Sequence, residues 1–210
     1  MRGARRRRPS GGANALSASK LHTVYSTEQV RRRVRELAKQ INRDYLGKSL
    51  HLVGIMDNCF LFMADLIRLL KVPLFCHFVR PQVQDVSPGG VPLREIKYTP
   101  PVDAEGKDIL LLDGILQSGV TLDHLYRYIL GQNPASVRTA VLIEKTDERK
   151  VGVPTDYVGF RTAGKFLVGY GLGYQDEYRN LPYVAAMDWA ADGVRPERGF
   201  PASNEEPAGG

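Results

Sequence analysis

The sequence predicts an α/β fold in which a mainly parallel sheet is covered by helices on both faces. Three observations predict it. Strand-like and helix-like segments alternate along the chain, and the strands read as near-continuous apolar runs. Apolar residues make up 43% of the 210, enough for the sizeable core of one domain.

The elements follow in order. In YSTEQVRRRVRELAKQINRDYLG, Val30, Val34, Leu37 and Ile41 recur at helical spacing. Ser26 or Thr27 is placed to cap that helix, and Gly47 lies beyond its end. LHLVGIM reads as the first buried strand, followed after Asp57-Asn58 by the helix FLFMADLIRLL. PLFCHFV is a second strand, and it runs into RPQVQDVSPGGVPLREIKYTP, whose Pro, Gly and Val content suggests a mobile loop or a long hairpin. KDILLLD is a third strand, and GVTLDHLYRYILGQN a helix with Leu122, Leu125, Ile129 and Leu130 on its apolar face. SVRTAVLIEK, DYVGF and FLVGYGL complete the expected strands. Sites in such sheets lie at the carboxyl ends of the strands, which puts Asp57-Asn58, Asp113–Thr121 and Lys145 along one rim.

Composition narrows the function classes. No apolar run approaches the roughly 18–20 residues of a membrane span, so no membrane association is expected. The Arg-rich start is not followed by the apolar stretch of about 7–15 residues that a secretory signal needs. Cys59 and Cys76 lie in apolar segments and read as reduced core residues, implying a cytoplasmic compartment. The formal charge is +6; five arginines in residues 1–10 and a surplus of two acids in 191–210 leave +3 for the rest. The fold itself is therefore not strongly basic. Residues 1–20 read as a disordered Arg-rich leader, with contact to RNA or an acidic partner as the alternative. Residues 21–190 form the domain, and 191–210 a flexible tail.

The segment DGILQSGVT carries the clearest chemistry. Ser118, Gly119, Val120 and Thr121 form the first turn of a helix after a central strand. Free backbone N–H groups, two hydroxyls and a glycine that permits close approach suit a monophosphate. Ser and Thr are also ordinary helix caps, so this loop alone is weak evidence.

Four stretches in order strengthen it: HLVGIMDNCFLFMADLIRLL, KDILLLDGILQSGVTLDHL, VLIEKTDERKVGVPTDYVGF and KFLVGYGLGYQDEYRNLPYV. From about Tyr25 to Met187 the chain resembles the hypoxanthine-guanine phosphoribosyltransferases, of the type I phosphoribosyltransferase family. The resemblance implies a sheet flanked by helices with a small hood. It also implies transfer of ribose 5-phosphate from phosphoribosyl pyrophosphate to N9 of a 6-oxopurine, with magnesium and release of pyrophosphate. Ser118, Gly119, Val120 and Thr121 would hold the 5′-phosphate. Lys145 would donate to the purine 6-oxo group, Phe166 would stack on the base, Leu167 would offer backbone to its edge, and Lys165 would lie nearby. Arg179 would meet pyrophosphate, and Asp57-Asn58 would stand at the first pyrophosphate loop. A homodimer or homotetramer is the oligomer implied.

The departures from the family fall on the reacting side. Asp113 matches the first member of an acidic pair that holds ribose hydroxyls or metal, but the second is Gly114. Gln117 stands where an acid faces purine N7; it accepts or donates a hydrogen bond but takes no proton. Loss of such a group costs roughly 10²–10⁴-fold in rate. Asp57-Asn58 replaces a Lys-Gly pair, Gly173 replaces a late acid, and Val83-Gln84 replaces a Ser-Tyr pair that covers the reacting centre. The expected function is binding of a purine nucleoside 5′-monophosphate, GMP or IMP, with transfer weak or absent. One alternative is an active salvage enzyme in which Asp57, Asp113 or Asp123 restores metal binding. Another is a nucleotide-responsive regulator that touches nucleic acid through its leader.

Overall fold

The computed structural model describes residues 20–86, 93–99 and 101–188, with the side chains of 82–99 excepted. The expected tail 191–210, and all of the expected leader but Lys20, lie outside the described residues, as do the Val83 and Gln84 side chains. The chain forms β1 (Lys20–Tyr25), α1 (Thr27–Asp44), β2 (Leu50–Ile55), α2 (Phe60–Ile67), β3 (Leu74–Val86) and β4 (Leu93–Thr99). It continues with β5 (Asp108–Leu116), α3 (Val120–Leu130), β6 (Ser136–Lys145), β7 (Tyr157–Thr162), β8 (Leu167–Val168) and β9 (Val184–Asp188).

The main sheet has the order β4-β3-β2-β5-β6-β7. Five of its strands are parallel, and β4 returns antiparallel along the outer half of β3. The stretch after PLFCHFV therefore forms the arms of a long hairpin. Alternation along the strands sorts two cores. Leu50, Leu52, Leu110, Leu112, Ala140 and Leu142 meet the apolar stripe of α1 and α2 on one face. Val53, Ile55, Ile109, Leu111 and Val141 meet Leu122, Leu125 and Ile129 of α3 on the other. The α/β fold covered on both faces stands.

Local signals explain the helix ends. Ser26 caps α1 through a capping box: its hydroxyl accepts from Gln29 N–H at 3.3 Å, and Gln29 Oε1 accepts from Ser26 N–H at 2.7 Å. Gly47, at φ +78°, follows the helix.

The structure corrects three expectations. Leu130 is exposed, because it lies one residue, or about 100°, beyond the stripe formed by Leu122, Leu125 and Ile129. Cys76 is exposed while Cys59 is fully buried; Cys76 lies on the part of β3 with which β4 does not pair. FLVGYGL, the last of the expected strands, is not extended throughout and does not join the main sheet. Only Leu167–Val168 is extended, and Gly169, Tyr170 and Gly171 turn the chain with φ of 91°, 50° and 92°.

Beyond the main sheet, β1, β9 and β8 make a separate antiparallel sheet, the hood. Its small core is Val168, Ala185 and Met187, with Phe166 and Tyr174 packed against it. Tyr170 Oη donates to Asp65 Oδ2 at 2.6 Å and ties the turn after β8 to α2.

Candidate functional site

In the strand order, β2 leads out through α2 to β3 on one side, and β5 begins the run to β6 and β7 on the other. The carboxyl ends of β2 and β5 therefore flank the switch point of the sheet, where α/β folds bind ligands. Asp57-Asn58 follows β2, Asp113–Leu116 closes β5 with Gln117 just beyond it, and Ser118-Gly119 leads into α3, which opens with Val120-Thr121. The rim expected from sequence is brought together here, with Lys145 at the end of β6.

The loop after β5 is braced from behind. Gly119 is the N-cap of α3 in a left-handed conformation, φ +83°, and supplies no side chain to the helix N-terminus. A Cβ there would lie 3.1 Å from Val151 Cγ2 and 3.3 Å from the Val151 carbonyl oxygen. The Ser118 carbonyl accepts from the N–H groups of Lys150, at 2.9 Å, and Val151, at 3.3 Å. Ser118 Oγ accepts weakly from Val120 N–H at 3.4 Å. A helix N-terminus held this way presents N–H groups and positive partial charge to an anion.

The bracing segment also reaches Lys145. That side chain is almost wholly buried, and its ammonium meets Glu148 Oε1 at 2.5 Å. Arg149 donates to Glu144 Oε1 at 2.7 Å and to the Val153 carbonyl at 2.6 Å, and Arg161 donates to Glu144 Oε2 at 2.9 Å. One short stretch, 144–153, therefore joins the end of β6 to the loop at Ser118 and Gly119. Sequence reading singled out Lys145 but missed Glu144, Glu148 and Arg149; their only signal was the density of charge after an apolar strand.

Across the rim, the hood contributes Phe166, half-buried and edge-on to Tyr174 at 5.7 Å between ring centres. Leu167 is buried and pairs with Ala186, while Lys165 is exposed.

The reacting side is crowded. Asp113 is buried, with Oδ1 accepting from Ile115 N–H at 3.3 Å, and burial pushes its carboxyl up to about 7. Cys59 lies close enough for Asp113 to add to the burial that raises its thiol. Gly114 faces the Asn58 backbone: a Cβ there would lie 2.2 Å from the Asn58 carbonyl oxygen. Gln117 is exposed. Asp57 is paired with Arg80, Oδ1 to Nη2 at 2.6 Å. Arg179 Nη1 donates to Asn58 Oδ1 and to the Gly171 carbonyl, each at 2.8 Å, and its side chain packs across Gly173. Beside it, a surface groove of about 770 Å³ runs between Phe60, Leu61 and residues 176–180. Gly171 was not foreseen; nothing in YGLG distinguishes a glycine that accommodates a distant carbonyl.

Magnesium is usually held by one or two carboxylates together with waters and substrate phosphates. Asp113 is the one acid between residues 109 and 122, and a guanidinium lies over Gly173. Among the described residues no three acidic, His or Cys side chains gather to hold a metal ion, and the one carboxyl of this loop is buried and pushed up to about 7, so the residues present fit magnesium poorly.

A model of the phosphoribosyl transferase domain matches residues 21–175. The chain is 37% identical over 176 residues to the hypoxanthine-guanine phosphoribosyltransferase of Aquifex aeolicus, an alignment covering 82% of this chain and 98% of that protein. The chain belongs to the hypoxanthine-guanine phosphoribosyltransferase family. The Dictyostelium discoideum enzyme of the same name is 36% identical over 168 residues, 78% of this chain and 93% of that one. A crystal structure of a hypoxanthine-guanine phosphoribosyltransferase from Bacillus anthracis matches with a TM-score of 0.70 at 32% identity, covering 81% of this chain and 99% of that one. Within this family, the hood and the parallel sheet are the shared frame, and the loops at the switch point are where this chain's own residues matter. Among the described residues, no helix is long and apolar enough to cross a membrane.

Proposed function

We propose that this phosphoribosyltransferase-family chain binds a 6-oxopurine nucleoside 5′-monophosphate, GMP or IMP, and that its phosphoribosyl transfer is weak or absent. The observation that carries this reading is the contrast within one loop. Ser118 and Gly119 are braced by Lys150 and Val151, leaving the start of α3 to face a phosphate. The reacting half, Asp113–Gln117, offers one buried carboxyl, a glycine and a glutamine.

In this reading, Ser118, Gly119, Val120 and Thr121 hold the phosphate through backbone N–H groups and hydroxyls. Lys145, oriented by Glu148, donates to the 6-oxo group, and Phe166 stacks on the base beside Leu167 and Lys165. Gln117 hydrogen-bonds N7 without taking its proton. Asp113 receives a ribose hydroxyl. Residues 21–190 act as the domain, residues 1–20 and 191–210 as its extensions, and the working unit is a homodimer or homotetramer in the cytoplasm.

The similarity to named enzymes across nearly their whole length favours a second reading, an active purine-salvage transferase that uses magnesium. A coupled assay with hypoxanthine or guanine, phosphoribosyl pyrophosphate and magnesium separates the two. Turnover equal to that of an ordinary family member assayed beside it would reject the first reading. Calorimetric binding of GMP with turnover lower by about 10² or more supports it.

A further inference from the structure

Three glycines line the side of the site away from the phosphate loop, and one or the other of two residues presses on each. The Asn58 carbonyl oxygen would lie 2.2 Å from a Cβ on Gly114 and 2.8 Å from one on Gly171. Arg179 Cγ and Nε would each lie 2.8 Å from a Cβ on Gly173. Asn58 and Arg179 are joined to each other by the hydrogen bond at 2.8 Å between Nη1 and Oδ1. Arg179 also holds the Gly171 carbonyl at 2.8 Å, and its Nη2 lies 3.8 Å from exposed Asp176. The turn after β2, the end of β5 and the segment after β8 thus meet at one contact.

A side chain at 114 would meet the Asn58 backbone, and one at 173 the Arg179 side chain where that contact holds it. A guanidinium at this point also repels a dication, and burial strengthens the repulsion. We infer that Asn58 and Arg179 form a latch that closes the diphosphate side of the site, because the guanidinium that would meet a diphosphate is held by the Asn58 amide oxygen and the Gly171 carbonyl. A diphosphate entering here competes with Asn58 for Arg179 and gains nothing from magnesium. The inference rests on assigning this edge to the diphosphate, and does not depend on whether GMP binds at Ser118–Thr121.

The test is calorimetric titration of inorganic pyrophosphate into the full chain, with and without magnesium, beside a separate titration of GMP. Asn58→Ala removes the Oδ1 acceptor and keeps the backbone carbonyl. Pyrophosphate should bind this variant about tenfold more tightly than the parent, the value of one hydrogen bond to a charged group. Asn58→Asp strengthens the pairing with Arg179 and should weaken pyrophosphate by about tenfold. Arg179→Lys loses the fork and should also weaken it. Unchanged or weaker binding to Asn58→Ala overturns the latch, as does unchanged or tighter binding to Asn58→Asp. Tenfold stronger binding of the parent with magnesium overturns it too, as does no measurable pyrophosphate binding in any of the proteins. If GMP fails to bind but the pyrophosphate pattern holds, the latch stands and the monophosphate reading falls.

Discussion

The Asn58 carbonyl oxygen fills the volume that a side chain on Gly114 would need, 2.2 Å from where its Cβ would lie. The obstacle is backbone, so it does not swing aside as a flexible side chain does. Gly114→Ala should destabilise the protein by about 3 kcal/mol, the upper range for overpacking a tight site. At about 2–4 °C per kcal/mol for a chain of this size, melting falls by roughly 6–12 °C. A melting temperature within about 2 °C of the parent would show that the turn after β2 yields freely.

Gly119 makes the complementary case at the phosphate loop. Its φ of +83° costs a residue with a side chain about 1–2 kcal/mol, and Val151 leaves little room for the added methyl. Gly119→Ala should therefore turn the first N–H groups of α3 away from their aim. Calorimetry should show GMP affinity lower by about tenfold or more. Equal affinity in a variant with lowered stability would place the phosphate elsewhere.

Lys145 is buried against Glu148, so the two changes that remove the carboxylate should differ. Glu148→Ala leaves the ammonium without that partner and should cost about 3–5 kcal/mol. Glu148→Gln keeps an acceptor oxygen and should cost about 1–2 kcal/mol. Urea denaturation measures both. Equal losses would mean that the side-chain volume at 148, and not its oxygen, supports Lys145.

What the sequence made legible follows from how local each signal is. KDILLLD followed by SGVT announces a buried strand, a turn and a helix within fifteen residues, and β5 and α3 lie there. The hood strands β1 and β9 were not foreseen. KLHTVY is mixed in exposure, and its pairing partner lies at the far end of the domain. The contact between Asn58 and Arg179 joins residues 121 apart and leaves no periodic mark in either segment. Sequence comparison with the family could mark Gly114 and Gly173 as lost acids. Only the packing shows that Asn58 and Arg179 fill the volume left by both.

Asp113 gives the protein a specific dependence on pH. Its carboxyl, pushed up to about 7 by burial, holds a proton that the unfolded chain releases near 3.8. This raised value contributes stability that is full below about pH 4 and is lost as pH rises through about 7. Asp113→Asn is neutral throughout and escapes that loss. The variant should be more stable than the parent at pH 8, by about 2–4 kcal/mol, with the gain shrinking toward pH 5. Urea midpoints at the two pH values read this directly, and a gain that does not change with pH would remove burial as the cause.

Gln117 is the position at which binding and turnover separate. Its side chain is exposed at the end of β5, so an acid there needs no rearrangement of the core. An aspartate at 117 would offer a base to a purine N7 proton without disturbing Ser118–Thr121. If loss of that base is what limits transfer, Gln117→Asp should raise guanine or hypoxanthine turnover by about 10²-fold, at the lower end of what a positioned base contributes. The latch at Asn58 and Arg179 is untouched by this change, so full family-level turnover is not expected from it alone. Combining Gln117→Asp with Asn58→Ala should then exceed either single change, because one supplies the proton acceptor and the other frees the guanidinium. Steady-state kinetics on the four proteins decides the matter. A parent already as fast as Gln117→Asp would mean that the proton at N7 leaves by another group.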